Sequence, residues 1–201
     1  MTVKESSDEL NPAVLTRAMI APTRGRRTLL DYVALGVATC GVGLLPLAPG
    51  TWGSLVGVAL YLGARTLNLR LLASATAQGW RAAQLASLQT ACIVASLLAL
   101  TFIGIWAATR AEALLGRKDP RAVVIDEVVG QLIAYAFVPY GGWWLIIVGF
   151  LAFRAFDIWK PYPIRRLERL ESGLGIMADD VLAGCYAAAL LSLVTAIYLL
   201  F

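Results

Sequence analysis

The chain has 201 residues, of which 59% are hydrophobic and 15% charged, and its mean hydropathy is +0.73. A soluble domain carries about a quarter charged residues, so this is the composition of a membrane protein. The net charge of +4 suits anionic lipid head groups, whereas no basic stripe interleaved with aromatics points to nucleic acid.

Residues 1–28 are polar and mixed in charge, and are expected to form a disordered cytoplasmic tail, with an interfacial helix around Ala13–Ile20. No signal-peptide pattern is present. The cluster Arg24-Gly25-Arg26-Arg27 abuts the first apolar segment, which places the N-terminus in the cytoplasm. Residues 29–201 read as one membrane-embedded domain. Leu29 to Leu47 is apolar but carries Gly36, Gly41, Gly43 and Pro46, and runs through Ala48–Ser54 into a second apolar stretch, Leu55 to Leu62. So many glycines and prolines at bilayer depth predict a broken or re-entrant element. Thr51 is expected to cap the helix that follows, whose N-terminus attracts an anion. Residues 63–86 are mixed, and Leu88 to Ala108 is an uncharged run long enough to span.

Arg110 to Arg121 is a polar connection, broken at Gly116 and Pro120. Val123 to Val138 carries Asp126-Glu127 near its start. Pro139-Tyr140-Gly141-Gly142 is a turn signal, and Trp143-Trp144 opens the second arm of a helical hairpin. That arm ends in Phe153-Arg154-Ala155-Phe156-Asp157-Ile158-Trp159-Lys160-Pro161. Arg154 and Asp157 share a helix face, and Lys160, preceding proline, marks the helix end. Ile164, Leu167, Leu170 and Leu174 recur every three to four residues among charges, which predicts an amphipathic surface helix on anionic lipid, ended by Ser172–Gly175. Asp179-Asp180 then begin the last apolar segment, Val181 to Phe201, also long enough to span.

The chain contains no histidine. That excludes a Ser-His-Asp hydrolase, a His-based phosphatase and any His metal ligand. Cys40, Cys92 and Cys185 are scattered in apolar runs without pair spacing, so no disulfide framework or zinc site is expected, and each reads as a small buried residue. What remains for chemistry is carboxylates, Lys, Arg, hydroxyls and backbone. Acids in a first helical turn are ordinary partners of the helix dipole, but three segment ends here carry them together: Asp126-Glu127, Asp157 and Asp179-Asp180. Converging, they would hold a hard cation such as Mg²⁺, with Arg154 and Lys160 completing a phosphate site.

Four motifs occur in order: Leu45-Pro46-x-Ala48-Pro49-Gly50-Thr51-x-Gly53-Ser54, Asp126-Glu127-x-x-Gly130, Phe153-Arg154-x-Phe156-Asp157-x-x-Lys160-Pro161-x-Pro163, and Gly175-Ile176-Met177-x-Asp179-Asp180-x-x-Ala183-Gly184. In spacing and order they resemble the bacterial phosphatidylglycerophosphatase A family over roughly residues 30–185. The resemblance implies Mg²⁺-dependent removal of the terminal phosphate from phosphatidylglycerophosphate, giving phosphatidylglycerol, in the bacterial cytoplasmic membrane. Asp126, Glu127, Asp157, Asp179 and Asp180 are then the expected catalytic residues and metal ligands, and Arg154, Lys160, Thr51 and Ser54 the phosphate binders. An ion or proton transporter would keep its acids near mid-bilayer. An alcohol phosphotransferase of lipid synthesis would carry an Asp-Gly…Ala-Arg…Gly…Asp…Asp pattern, which is missing here.

The expected architecture is an all-α polytopic bundle of about five spanning helices, with a re-entrant Gly/Pro-rich element and an amphipathic surface helix. Parity of the acid-bearing ends puts the N-terminus inside, the C-terminus outside and the active site toward the cytoplasm. Without His or a placed Cys, direct attack of water on phosphorus is favoured over an aspartyl-phosphate step.

Overall fold

The computed structural model describes residues 27–137 and 142–200, and every regular element among them is helical. The expectations for residues 1–26 and for the turn at residues 139–141 lie outside the described residues. Helix α1 (Leu29–Thr39) opens with a capping box: Thr28 Oγ1 accepts from the Asp31 N–H, and Asp31 Oδ2 accepts from the Thr28 N–H at 2.7 Å. It stops where Cys40 and Gly41 turn left-handed, and a 3-10 turn follows at Val42–Leu44.

Helix α2 runs from Pro49 to Ala77. Proline suits its first position, where no N–H is needed. Its N-cap is Ala48, without a side-chain hydrogen bond, so the capping role expected of Thr51 is not observed: the Thr51 N–H lies inside the first turn and donates to the Ala48 carbonyl at 2.9 Å. The helix also continues well past Leu62, because the mixed segment holds no breaker between Gly63 and Gly79, the latter at φ 86°. Helix α3 (Ala82–Leu115) ends at left-handed Gly116, as its sequence predicts. Helix α4 (Ile125–Tyr135) is short, and α5 (Trp143–Trp159) ends at Lys160, left-handed at φ 48°.

The surface helix expected from Ile164 to Leu174 shrinks to α6 (Ile164–Leu167), with Ile164 fully buried. Ser172–Gly175 starts the last helix rather than ending one: α7 runs from Ser172 to Leu200. The reason is packing. A methyl on Gly173 would strike the Ile105 carbonyl and the Thr109 hydroxyl, and one on Gly175 the Leu170 carbonyl. These glycines serve close contact, not termination. Asp179 and Asp180 therefore sit about two turns into α7 instead of at its start.

Helix α4 lies in the middle, packed against α2, α3, α5 and α7, with Val129, Gln131 and Ala134 fully buried. Its far end is pinned by Tyr135, whose hydroxyl donates to the Ile146 carbonyl at 2.6 Å and whose ring stacks on Tyr61. Among the described residues, three helices are long and apolar enough to cross a bilayer: α2, α3 and α7. By length alone the count of five is not reached, since α4 and α5 have 11 and 17 residues. Helix α1 is shorter than a span and is held at both termini beside the α3–α4 connection, away from Tyr135. Asp31 accepts from Arg110 of α3 at 2.7 Å, and the Ala38 carbonyl accepts from Val124, just ahead of α4. The three cysteines are free, but Cys92 and Cys185 lie exposed on the outside of the bundle and Cys40 is half-buried, so the expectation of burial fails. An outward cysteine in a membrane helix is simply another apolar contact for lipid.

Candidate active site

Five helices bring the same end of the bundle to one cleft of about 1010 Å³. The start of α2 contributes Pro49 and Gly50, the end of α3 Glu112, the start of α4 Asp126 and Glu127, the end of α5 Arg154 and Asp157, and the first turns of α7 Asp179 and Asp180. Lys160 and Glu168 line it from the α5–α7 connection.

Close backbone contact sets the spacing. A Cβ at Gly130 would meet the Phe153 ring and the Asp180 carbonyl, and one at Gly184 would meet the Gly130 carbonyl. With no side chain at either crossing point, α4 and α7 approach until Asp180 stands beside Asp126 and Glu127. Helix α2 closes the site from the other side: a Cβ at Gly50 would run into Glu127 Oε1 and come within 3.3 Å of Arg154 Nη1.

Asp126, Glu127 and Asp180 each present one carboxylate oxygen within 4.8 Å of the other two. Asp126 and Asp180 are 9% and 3% exposed. Asp126 Oδ1 and Glu127 Oε2 are buried without a hydrogen-bond partner among the described residues. Three like charges gathered out of water, two with orphaned oxygens, are costly unless a cation lies among them. The donor set, all carboxylate oxygen, fits a hard divalent ion.

The other two expected ligands are placed differently. Asp157 is engaged with Arg154, the two side chains 2.5 Å apart on one helix face. Asp179 Oδ2 accepts from Lys160 at 2.7 Å, and Lys160 also donates to Glu168 Oε1 at 2.6 Å. Burial works against the Lys160 charge, but the hydrogen bonds from its ammonium to Asp179 and Glu168 outweigh it and hold its pKa above the ordinary lysine value. Lys160 thus bridges two carboxylates across the α5–α7 connection and stays cationic.

Thr51 and Ser54 do not line the cleft. Ser54 is fully buried, and its hydroxyl donates back to the Gly50 carbonyl at 3.0 Å; the residues of that turn that do reach the cleft are Ala48, Pro49 and Gly50. Glu112, Lys118, Asp119 and Arg121 also line it, and the sequence reading passed them over as ordinary connection. The signal available was their position, a charged stretch directly ahead of the Asp126-Glu127 segment.

The model of the family described as "Phosphatidylglycerophosphatase A" matches residues 36–195. The chain is 39% identical to the phosphatidylglycerophosphatase A of Haemophilus influenzae, across 80% of this chain and 86% of that one. With the phosphatidylglycerophosphatase A of Escherichia coli it shares 31% identity, across 75% and 76% of the two chains. A Bacteroides thetaiotaomicron protein, whose name assigns it provisionally as a phosphatidylinositol-3-phosphatase, is 39% identical across 76% of this chain and 86% of its own. No solved structure matches the chain significantly. The matched span holds all five carboxylates, the Arg154–Asp157 pair and Lys160, and on that evidence the chain belongs to the phosphatidylglycerophosphatase A family.

Proposed function

We propose that the chain, a membrane lipid phosphatase, hydrolyses the terminal phosphomonoester of phosphatidylglycerophosphate to phosphatidylglycerol and inorganic phosphate, with Mg²⁺ held by Asp126, Glu127 and Asp180. The observation that carries the metal reading is the convergence of those three acids, with orphaned oxygens, in the cleft that Arg154 and Lys160 also line. When bound, Mg²⁺ supplies neutralisation of phosphoryl charge and acidification of water. Arg154, held in place by Asp157, points its planar guanidinium at the monoester, where a bidentate contact fixes orientation. Asp157 is then a positioning residue. Lys160 ties Asp179 and Glu168 into the wall and adds positive charge beside the phosphate. One carboxylate of the Asp126–Glu127 pair orients the attacking water; a single in-line displacement inverts configuration at phosphorus.

The bacterial relatives and the apolar helices support placement in the bacterial cytoplasmic membrane. The cleft faces the cytoplasm in this reading, and five crossings follow. Helices α2, α4 and α7 start at the cleft end, while α3 and α5 finish there. Helix α1 stays at that end without crossing, which makes it the re-entrant element. The C-terminus then lies outside, so a C-terminal reporter that proved cytoplasmic would refute the count.

A second lipid is favoured by one comparison. The phosphatidylinositol-3-phosphatase named for the Bacteroides relative points to a headgroup that, like glycerophosphate, bears a monoester and is joined to lipid through a phosphodiester. Phosphate release by the purified chain from each lipid, with and without chelator, tests the function and separates the substrates. Asp157→Asn should cut turnover by about two orders of magnitude with the protein still folded in detergent; wild-type turnover in that variant would overturn the role given to Asp157.

A further inference from the structure

The cleft is larger than a monoester needs, and its charges fall into two groups. Arg154 and Lys160, on the side of α5 and α7, are each tied to acids. Lys118 and Arg121 line the same cleft from the connection between α3 and α4. Both are exposed, and neither makes an ion pair with a described residue. Their backbone is fixed all the same. Gly116 caps α3 at one end; Val123 N–H donates to the Pro120 carbonyl at 2.8 Å, and Val124 N–H to the Ala38 carbonyl at 2.8 Å. Pro120, Val123 and Val124 are buried, and Gly43 of the neighbouring turn packs directly on the Ala122 carbonyl. Two free cations are therefore held on a braced segment at one wall of the cleft, ahead of the carboxylates at the head of α4.

The substrate of the proposed reaction, on which this inference rests, carries two phosphates at the two ends of one glycerol: the monoester that leaves and the phosphodiester that joins the headgroup to lipid. We propose that Lys118 and Arg121 bind that phosphodiester, and so select lipids whose monoester stands on a headgroup over lipids whose monoester sits directly on diacylglycerol. Arg154 and Lys160, each paired with acids, are committed to the monoester and its supporting carboxylates. A second phosphate needs its own positive charge, because the rest of the cleft lining is rich in carboxylates. Binding energy from this non-reacting group is felt equally in the bound ground state and in the transition state, so it lowers KM and leaves kcat alone.

The test uses the full chain in neutral-detergent micelles. With Lys118→Ala/Arg121→Ala, KM for phosphatidylglycerophosphate should rise about tenfold or more, the loss of charge-assisted contacts, while kcat stays within about twofold. KM for phosphatidic acid, which lacks the phosphodiester, should not move. Phosphatidylglycerol has the phosphodiester without the monoester, so it should compete with substrate in the unmodified chain and lose that effect in the double variant. Arg117→Ala removes a charge from the same connection but outside the cleft and should change none of these values. An unchanged KM, an equal loss on phosphatidic acid, or an equal effect from Arg117→Ala would overturn the assignment. Native mass spectrometry of phosphatidylglycerol adducts reads the same contact without turnover. Adducts lost in the double variant uphold it, and adducts retained refute it. A chain inactive on phosphatidylglycerophosphate would instead sink the proposed reaction.

Discussion

Asp180→Asn separates a metal site from a structural cluster, because the two roles change stability in opposite directions. Three carboxylate oxygens lie within 4.8 Å of one another. At an effective dielectric of about 20, each pair of full charges at that distance repels by roughly 3 kcal/mol. Asp180 takes part in two of the three pairs. The amide keeps the shape of the side chain, which is 3% exposed, and removes both repulsions while deleting one ligand. Without metal, and at a pH high enough to ionise all three acids, relief of even a third of that repulsion amounts to about 2 kcal/mol, which raises the unfolding temperature by roughly 5 °C for a chain of this size. With metal, loss of a ligand should lower phosphate release by about a hundredfold or more. The assay is thermal unfolding in detergent with EDTA and with Mg²⁺, beside phosphate release at rising Mg²⁺. The variant should be more stable than the unmodified chain in EDTA, and the stabilisation that Mg²⁺ gives the unmodified chain should largely vanish. If Asp180→Asn is less stable in EDTA, the three acids are structural and the metal reading fails. If it keeps full activity, Asp180 is no ligand.

Arg154→Lys keeps the charge but loses the planar fork, so kcat should fall by about a hundredfold, measured on phosphatidylglycerophosphate, with little change in unfolding temperature. Gly130→Ala drives a methyl into the Phe153 ring and the Asp180 carbonyl and should cost about 1–3 kcal/mol in thermal or denaturant unfolding; activity should fall too, because the α4–α7 spacing sets the acid cluster. Ser54→Ala removes only a hydroxyl turned back to the Gly50 carbonyl, so turnover should stay within about twofold of the unmodified chain; a large loss would return Ser54 to the phosphate site.

The residues of the site were legible because their chemistry is out of place. Carboxylates and cations at the edges of apolar runs stand out when most of the chain is hydrophobic, and convergence of the acid-bearing segments followed from counting edges. Their partners were not legible. Whether Asp157 faces a metal ion or Arg154, and whether Asp179 joins Asp126 or Lys160, depends on helix rotation. Rotation is set by small-residue contacts such as Gly130 on Gly184, to which hydropathy is blind. The same blindness produced the misreading of Ser172–Gly175. Two glycines within four residues look like a helix end, yet Gly173 and Gly175 lie in the first turn of α7, where a backbone neighbour fills the missing Cβ position. Thr51 was misjudged through a shift of three residues in the start of α2, which moved it from the cap into the helix.

Helix α4 explains how such a site coexists with a bilayer. Its 11 residues rise about 16 Å, close to half of a hydrocarbon core of roughly 30 Å. Helices α3 and α7 extend past its acidic start, since Gly104 of α3 faces Ile125 and Asp180 of α7 packs beside Gly130, while the first turn of α2 stands level with it, Gly50 against Glu127. A recess of about 1010 Å³ brings water down to Asp126 and Glu127, and backbone beyond helix ends is tolerated at that depth only where protein or water covers it. At the rim, Leu44 and Leu45 line the cleft, with Leu47 beside them, and all three are exposed, an apolar edge next to a polar floor. A lipid whose headgroup must reach carboxylates while its acyl chains stay in the leaflet needs both surfaces side by side. A soluble phosphate ester needs only the floor. The short central helix is thus the feature that turns an acidic bundle end into a site for membrane-bound substrate.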